Sequence, residues 1–247
     1  MYQVERVGMK QNKIIGLTGG IASGKSLVSS YIKQAGFSLI DGDEVAKNLQ
    51  EEAQFLEKIE EAFPGMVVDG RLDREKMGRL VFAQEDQRRR LNQLMHPAIL
   101  EAIRKDLSKI QGTCFIDLPL LIETMDAPGA LDYDEIWLVW VPRHIQVQRL
   151  MERDGIDEAY ALEKIHAQMD LDTKKCFANV IIDNSKTPDD TLGQLDKELA
   201  RLWRGKKFSA SSAWSFFVGP ALLAKIFKLR KFQKTSWWTQ ALSVEEL

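Results

Sequence analysis

Hydrophobic positions along this chain occur either in short uninterrupted runs or in longer stretches with helical spacing. Uninterrupted apolar runs are typical of buried parallel strands, and they predict five strands, over 13–18, 37–40, 113–118, 135–141 and 179–183. The helical stretches predict helices over 27–35, 44–63, 75–83, 86–95, from 97 onward, and over 144–153, 157–175 and 188–203. Strands that alternate with helices predict an α/β fold with a five-stranded parallel sheet flanked by helices.

The first apolar run ends in a glycine-rich loop. The sequence has Gly19, four further residues and then Gly24-Lys25-Ser26, which is the P-loop spacing in its strand–loop–helix context. Such a loop turns backbone N–H groups toward phosphate oxygens, and the following helix adds the positive end of its dipole. Lys25 is expected to bind the β- and γ-phosphates, and the Ser26 hydroxyl to bind Mg²⁺. The candidate ATP-binding residues are Gly20, Ala22, Ser23, Gly24, Lys25, Ser26 and Leu27.

Acidic residues follow two of the other predicted strands. Asp41 and Asp43 end the second apolar run and Asp117 ends the third, so all three are expected beside the P-loop at the carboxyl edge of the sheet. Asp41 and Asp43 could hold Mg²⁺ through water, hydrogen-bond a sugar hydroxyl or take its proton. The alternative is that Asp43 caps a helix starting at Glu44, which explains one aspartate but not both. Asp117 is a weaker candidate for a Walker-B magnesium partner.

Composition narrows the class of protein. The chain has 247 residues, of which 45% are hydrophobic and 28% charged, as in ordinary soluble enzymes. The net charge of −2 argues against a general nucleic-acid binder. Its two cysteines and three histidines show no zinc-ligand spacing, and both cysteines are expected to pack in apolar surroundings. Residues 1–12 lack the apolar core of a signal peptide, so we expect a disordered leader and a cytoplasmic protein.

The last part of the chain, 206–247, differs from the rest in charge and aromatic content. It has seven Lys/Arg and two Glu, a net +5, while the remainder carries −7. Its uncharged stretch, 208–224, is too short and too rich in Ser, Gly and Pro to span a bilayer. Aromatic and basic residues together are typical of weak contacts with a membrane surface or a protein partner. Packing of this extension on the preceding domain, or disorder, is the alternative hypothesis.

An ordered series of further segments extends from about 13 to about 203. It comprises Gly-Leu-Thr-Gly-Gly-Ile-Ala-Ser-Gly-Lys-Ser at 16–26, Ile-Asp-Gly-Asp at 40–43, Asp-Gly-Arg-Leu-Asp-Arg at 69–74, His-Pro at 96–97, Asp-Leu-Pro-Leu-Leu-Ile-Glu at 117–123 and Val-Ile-Ile-Asp-Asn at 180–184. In this order the segments resemble the dephospho-CoA kinase family. The resemblance implies a P-loop kinase that uses ATP and Mg²⁺ to phosphorylate the ribose 3′-hydroxyl of dephospho-CoA, the last step of coenzyme A synthesis.

The resemblance also implies roles for individual residues. Asp43 matches the family's proposed base, Lys25 its phosphate ligand, and Arg149 and Arg153 the lid region that closes over the transferring phosphate. His96 is a poor catalytic candidate as a lone histidine and is favoured as structural. The implied catalytic residues are Lys25, Asp43, Arg149 and Arg153, and the substrate-binding candidates are Asp41, Asp43, His96, Pro119 and Lys174.

The resemblance predicts a domain organisation as well. The kinase domain is expected over 13–205, with a helical substrate-binding insertion at 44–110 and a lid at 154–175, followed by the basic aromatic extension at 206–247. ATP and dephospho-CoA are the expected partners, without nucleic acid. Small departures from the family pattern occur at Ala22, Leu27 and Asn179, and none of them removes a catalytic group.

Two other functions are compatible with a P-loop. One is a different small-molecule kinase of adenylate-kinase-like build, and the other is a P-loop switch or regulatory ATPase without an acceptor. A GTPase would need an Asn-Lys-x-Asp motif after a strand, and Asn184-Ser185-Lys186 has only a superficial likeness to it. Stimulation of ATP consumption by dephospho-CoA alone would distinguish the kinase hypothesis from both.

Overall fold

Seven strands and nine helices lie in the residues that the computed structural model describes, which are 12–127 and 129–203. The strands are β1 (Lys13–Gly19), β2 (Ser38–Asp41), β3 (Val67–Val68), β4 (Arg71–Leu72), β5 (Thr113–Asp117), β6 (Glu135–Trp140) and β7 (Val180–Asp183). The helices are α1 (Lys25–Gln34), α2 (Gly42–Leu49), α3 (Ala53–Ala62), α4 (Arg74–Ala83), α5 (Glu85–Leu107), α6 (Arg143–Asp154), α7 (Glu158–His166), α8 (Leu171–Lys174) and α9 (Pro188–Trp203).

Five strands form one parallel sheet in the order β2-β5-β1-β6-β7. This confirms the predicted α/β fold. The P-loop strand β1 is central, and the register pairs Leu17 with Asp117 and Asp41 with Asp117 across neighbouring strands. The carboxyl ends of β1, β2 and β5 therefore meet at one edge, where the P-loop and the acidic residues come together.

Separate hydrophobic cores cover the two faces of the sheet. Side chains alternate between faces along a strand, so neighbouring residues of β1 and β5 belong to different cores. Helices α1 and α9 pack on one face, through a core that includes Ile15, Leu17, Val28, Ile32, Phe115, Trp137, Leu195 and Leu199. Helices α2 to α5 pack on the other, through a core that includes Ile40, Leu49, Ile59, Met77, Leu91, Met95, Ile103 and Ile116.

The predicted break before His96-Pro97 is wrong, because α5 runs continuously from Glu85 to Leu107 with Pro97 inside it. Proline lacks the N–H that would bond the carbonyl of Gln93, a defect that normally ends or kinks a helix. The apolar face continues across the proline through Leu91, Met95, Ile99, Ile103 and Leu107, all buried at four-residue spacing. Packing of this face in the core that α2 to α5 form with the sheet outweighs the local cost of Pro97.

Two other predicted helices are shorter than expected. The stretch 44–63 is divided into α2 and α3, since the chain leaves the helix after Leu49 and restarts at Ala53. The stretch 157–175 contains α7 and the single-turn α8, followed by a 3₁₀ turn over Lys175–Phe177. In both places an aspartate or glutamate precedes the new helix start, where acidic residues favour initiation.

Smaller differences concern a hairpin and the cysteines. Asp69 and Gly70 connect β3 and β4, two short strands that the sequence did not predict. Both residues have positive φ, +51° for Asp69 and +71° for Gly70. Cys114 is buried as expected, whereas Cys176 is exposed, because the 3₁₀ turn holding it lies on the surface.

The predictions for 1–11 and for 206–247 lie outside the described residues. Asn12, the last residue of the expected leader, is held against the domain by hydrogen bonds of its side-chain amide. Its amide donates to the carbonyl of Ile110 at 2.7 Å and accepts the N–H of Gly112 at 2.9 Å. Among residues 12–127 and 129–203, no helix has both the length and the apolar composition needed to cross a bilayer.

Candidate active site

The P-loop connects β1 to α1 at the carboxyl edge of the sheet. Helix α1 begins at Lys25, and Gly24 precedes it with a φ of +88°, which is left-handed. No side chain of the described residues caps this helix start. Its first N–H groups therefore remain available to an anion, at the positive end of the α1 dipole. Ser26 lies exposed in the first turn, where its hydroxyl can reach a ligand.

Lys25 and Asp117 form a largely buried ion pair at the P-loop. Asp117 is only 2% exposed, and the hydroxyl of Ser29 donates to its second carboxylate oxygen at 2.5 Å. Ser29 lies one helical turn after Lys25, so α1 supplies both partners. A buried carboxylate needs such partners, and here they fix it next to the P-loop lysine.

Asp41 and Asp43 have different surroundings. Asp41 is the N-cap of α2, and its carboxylate accepts the N–H groups of Asp43 at 3.0 Å and Glu44 at 3.3 Å. The alternative in which Asp43 caps a helix at Glu44 is thereby corrected, since α2 begins at Gly42. A Cβ on Gly42 would lie 2.2 Å from the side chain of Leu118, so glycine lets the start of α2 lie against the residue that follows β5.

Asp43 lies in the first turn of α2, and its carboxylate takes no part in capping that helix. Asp43 is exposed as a residue, while its carboxyl group is partly desolvated beside Lys25, Asp41 and Asp117. This partial burial raises the pKa of Asp43 above the ordinary aspartate value, Lys25 opposes the shift, and the charges of Asp41 and Asp117 add to it. Asp43, Lys25 and Asp117 therefore belong to one electrostatic cluster.

The two predicted arginines lie on α6 but are engaged differently. Arg149 donates to the carbonyl of Asn184 at 2.9 Å, and its guanidinium lies 3.7 Å from where a Cβ on Gly24 would be. Arg153 instead pairs with Asp154, Nε to carboxylate at 2.8 Å. The structure thus brings Arg149 to the P-loop, whereas Arg153 faces the start of the 154–175 segment.

Lys174 lies inside the protein rather than on the open surface. Its side chain is fully buried, its ammonium lies 2.7 Å from the Glu123 carboxylate, and it also donates to the carbonyl of Pro119 at 3.2 Å. Burial lowers the pKa of Lys174, and Glu123 opposes this shift. The Thr18 hydroxyl donates to the same Pro119 carbonyl at 3.0 Å. A direct substrate contact would require Lys174 to leave Glu123, so this geometry favours a supporting role.

His96 lies half-buried in the middle of α5, immediately before Pro97. Its helix packs against α2, whose first turn carries Asp43. The predicted substrate contact of His96 stays a prediction.

Within residues 12–127 and 129–203, no three or more His, Cys, Asp and Glu side chains form a group able to hold a metal ion. An Mg²⁺ ion that accompanies a nucleotide takes only one or two protein oxygens, because phosphate and water supply its other ligands. The exposed hydroxyl of Ser26 and the buried carboxylate of Asp117 are oxygen donors of that kind.

A family model described as dephospho-CoA kinase matches residues 13–190. The chain belongs to the dephospho-CoA kinase family. A dephospho-CoA kinase of Shouchella clausii is 40% identical over 194 residues, which are 76% of this chain and 97% of the relative. One of Streptococcus mutans is 39% identical over 196 residues, 77% of this chain and 98% of the relative.

Solved structures agree with the fold. TT1252 of Thermus thermophilus is 32% identical, with a TM-score of 0.66 over 78% of this chain and 99% of its own. Dephospho-CoA kinases phosphorylate dephospho-CoA to coenzyme A in the last step of its biosynthesis, so the predicted family, fold and enzyme class are confirmed. The two alternatives, another small-molecule kinase and a switch ATPase, are set aside.

Two residues of this kinase-family site were given no role by the sequence analysis. Asn184, just after β7, donates to the carbonyl of Ser23 at 2.8 Å and accepts from Thr191, so it holds the P-loop from behind. Ser29 was also missed. In each case the available signal was a polar residue at a position where an apolar one would be expected, at the carboxyl edge of the sheet or on the buried face of α1.

Proposed function

We propose that this chain transfers the γ-phosphoryl group of ATP to the ribose 3′-hydroxyl of dephospho-CoA, with Mg²⁺ accompanying ATP. The observation that supports this most is the cluster at the carboxyl edge of the sheet. There the P-loop lysine, Lys25, meets the buried carboxylate of Asp117 and the cleft-facing carboxylate of Asp43. One cation for phosphate and one carboxylate for an acceptor hydroxyl are what phosphoryl transfer needs, since its catalysis is mostly positioning and charge stabilisation.

The donor side of the site consists of the P-loop, Lys25 and Arg149. An ammonium has three N–H donors, so Lys25 can contact phosphate oxygens while it remains beside Asp117. Arg149 lies next to Gly24 and is positioned to neutralise charge that develops on the transferring group. Arg153 reaches the phosphates only after it exchanges Asp154 for them, which we assign to closure of the lid, 154–175.

Ser26 and Asp117 would hold the Mg²⁺. When bound, this ion neutralises charge on the β- and γ-phosphate oxygens. The carboxylate of Asp117 is oriented by Ser29 and paired with Lys25, so Lys25 would have to share this carboxylate with the ion.

The acceptor side is formed by Asp43 together with the helical insertion, 44–110. Asp43 orients the ribose hydroxyl and takes its proton, and a raised pKa makes a carboxylate a better base near neutral pH. Asp41 keeps the start of α2 in place through its two backbone hydrogen bonds. Lys174 and Glu123 order the loop of Pro119 at the entrance of the insertion.

The test is ATP consumption by the purified full chain with dephospho-CoA, with a panel of nucleosides and nucleoside monophosphates, and with no acceptor. We expect stimulation by dephospho-CoA alone and a product that carries one additional phosphate on the ribose 3′ position, located by ³¹P NMR. Equal stimulation by nucleoside monophosphates, or hydrolysis that no acceptor accelerates, would contradict the proposal.

A further inference from the structure

Two glutamine side chains hold the backbone of the P-loop at Ile21 from outside the loop. The N–H of Ile21 donates to the side-chain oxygen of Gln168 at 2.8 Å, and the amide of Gln146 donates to the Ile21 carbonyl at 2.9 Å. Gln146 comes from α6 and is 4% exposed, whereas Gln168 lies between α7 and α8. Both backbone polar groups of one P-loop residue are thus bonded by other parts of the chain.

Ile21 and Ala22 are the central residues of a β-turn. The N–H of Ser23 donates to the carbonyl of Gly20 at 3.1 Å, which closes the turn. Ala22 has a φ of +58°, and a positive φ at the third position of a turn is the type II pattern. Glycine usually occupies that position, because a side chain makes the left-handed region costly. This chain has alanine there, so the turn needs support that glycine would not require.

The Ile21 carbonyl belongs to the central peptide of the turn, and the orientation of that peptide separates type II from type I. In a type I turn the central peptide is reversed and Ala22 returns to negative φ. The hydrogen bond from Gln146 therefore favours the orientation that Ala22 itself disfavours. A Cβ on Gly20 would lie 2.8 Å from the same Gln146 amide, so loop and side chain are in direct contact.

We propose that Gln146 and Gln168 are positioning residues for the P-loop turn at Ile21-Ala22. Gln146 holds the central peptide of the turn in its type II orientation, and Gln168 holds the preceding peptide, between Gly20 and Ile21. They do not touch ATP. By fixing the turn they orient the N–H groups of Gly24, Lys25 and Ser26, which follow it and face the phosphates. This inference rests on ATP binding at the P-loop, as proposed above.

Gln168 can be replaced without releasing its segment, because other hydrogen bonds hold the segment in place. The N–H of the next residue, Met169, donates to Glu123 at 3.3 Å, and the backbone N–H of Gln168 donates to Ile165 at 3.2 Å. Gln168→Met removes the acceptor oxygen at similar size. Gln168→Glu keeps an acceptor oxygen for the Ile21 N–H and is the matched control.

The experiment measures ATP binding by calorimetry and the KM values for ATP and dephospho-CoA, in the full chain. For Gln168→Met and for Gln146→Met we expect ATP affinity to fall about fivefold to tenfold, the usual effect of one lost hydrogen bond. The KM for dephospho-CoA should stay within about twofold. Gln168→Glu keeps the acceptor oxygen but adds a negative charge, so it should bind ATP more tightly than Gln168→Met, and any remaining deficit should shrink in high salt.

Ala22→Gly supplies the decisive double variant. Glycine tolerates the left-handed conformation without support, so adding Ala22→Gly should recover most of the ATP affinity that Gln146→Met loses. Unchanged ATP affinity in folded Gln168→Met, or no recovery by Ala22→Gly, would overturn the inference. If Gln146→Met does not fold, the comparison of Gln168→Met with Gln168→Glu decides. A parent chain that binds no ATP would refute the proposed function instead.

Discussion

Two ion-pair clusters at different places on the same sheet shift the pKa of a carboxyl group in opposite directions. In the structural cluster, Glu135 is 2.5 Å from Lys13 and accepts two bonds from Arg201, at 2.8 and 2.5 Å. These contacts, Arg201 first, lower the pKa of Glu135 to about 2. In the site cluster, Lys25 faces several carboxylates, and burial raises the pKa of Asp43.

The difference lies in the balance of charge. The structural cluster gives one carboxylate two cations, which satisfies it and leaves it no capacity for a ligand. The site cluster gives one lysine the neighbouring charges of Asp41, Asp43 and Asp117, an excess of negative charge that ATP would worsen. A cationic cofactor such as Mg²⁺ and the arginine of α6 are the groups that restore the balance.

The largest expected effect is that of removing Lys25. Lys25→Ala should lower phosphoryl transfer by about 10³-fold or more, because the transition state loses its fixed cation. Lys13→Ala is the matched control, since it also breaks a lysine–carboxylate pair but should leave kcat within about twofold. Steady-state rates and circular dichroism of both variants make the comparison. Near-normal turnover in Lys25→Ala would remove the P-loop from the mechanism.

Asp43→Asn should have the next largest effect. We expect kcat to fall by about 10²- to 10⁴-fold while ATP still binds, because the general base is lost. Asp41→Asn should cost much less, since an asparagine oxygen can still cap α2. Equal losses in kcat from the two variants, or a fully active Asp43→Asn, would show that the assignment is wrong.

The pH dependence should distinguish the same two clusters. A base must be deprotonated, so kcat/KM should fall as the pH drops through the pKa of Asp43, and the raised pKa moves this fall above the range of an ordinary aspartate. Rate profiles of the parent chain and of Asp43→Asn test this, and the variant should lack that acid limb. An identical acid limb in Asp43→Asn would assign it to another group.

Glu135→Gln should affect stability rather than rate. Since folding lowers the pKa of Glu135 from 4.5 to about 2, its contribution is complete above pH 4.5 and is lost as the pH falls toward 2. The variant should have a lower Tm at pH 7, by a few degrees, and the deficit should shrink in acid. Melting curves across this range measure it, with kcat at neutral pH expected to be unchanged. A deficit that does not change with pH would contradict the charge argument.

The smallest effect is expected from ending the chain at Gly205. Every contact of both clusters lies before that residue, so folding and kcat should be retained within about twofold. If 206–247 binds anionic lipid, the full chain should sediment with phosphatidylserine vesicles in low salt and less in high salt. Loss of folding on truncation would instead favour packing of the extension on the domain.

The sequence predicted the sheet because each strand is a local apolar run, and α9 was predicted over its observed bounds, Pro188–Trp203. The sequence could not predict that α5 is continuous, because a proline normally ends a helix. Only the packing of α5 with α2 to α4, which involves residues distant in sequence, overrides the effect of Pro97. The position of Asp117 beside Lys25 was predictable, because the carboxyl ends of parallel strands meet at one edge of the sheet. The bonds of Gln146 and Gln168 to Ile21 join residues far apart in sequence, and no local pattern encodes them.

The central place of β1 has a consequence for how the protein is made. Ile14 pairs with Cys114 on one side, and Gly16 pairs with Ile136 on the other, so both neighbours of the strand are synthesised long after it. At about 5–20 residues per second, the apolar P-loop strand leaves the ribosome several seconds before its partners exist. During that interval its hydrogen-bonding edges are open, and pairing over such separations is slow. The nascent chain therefore carries an unpaired apolar strand at the same place that later supports the phosphate loop.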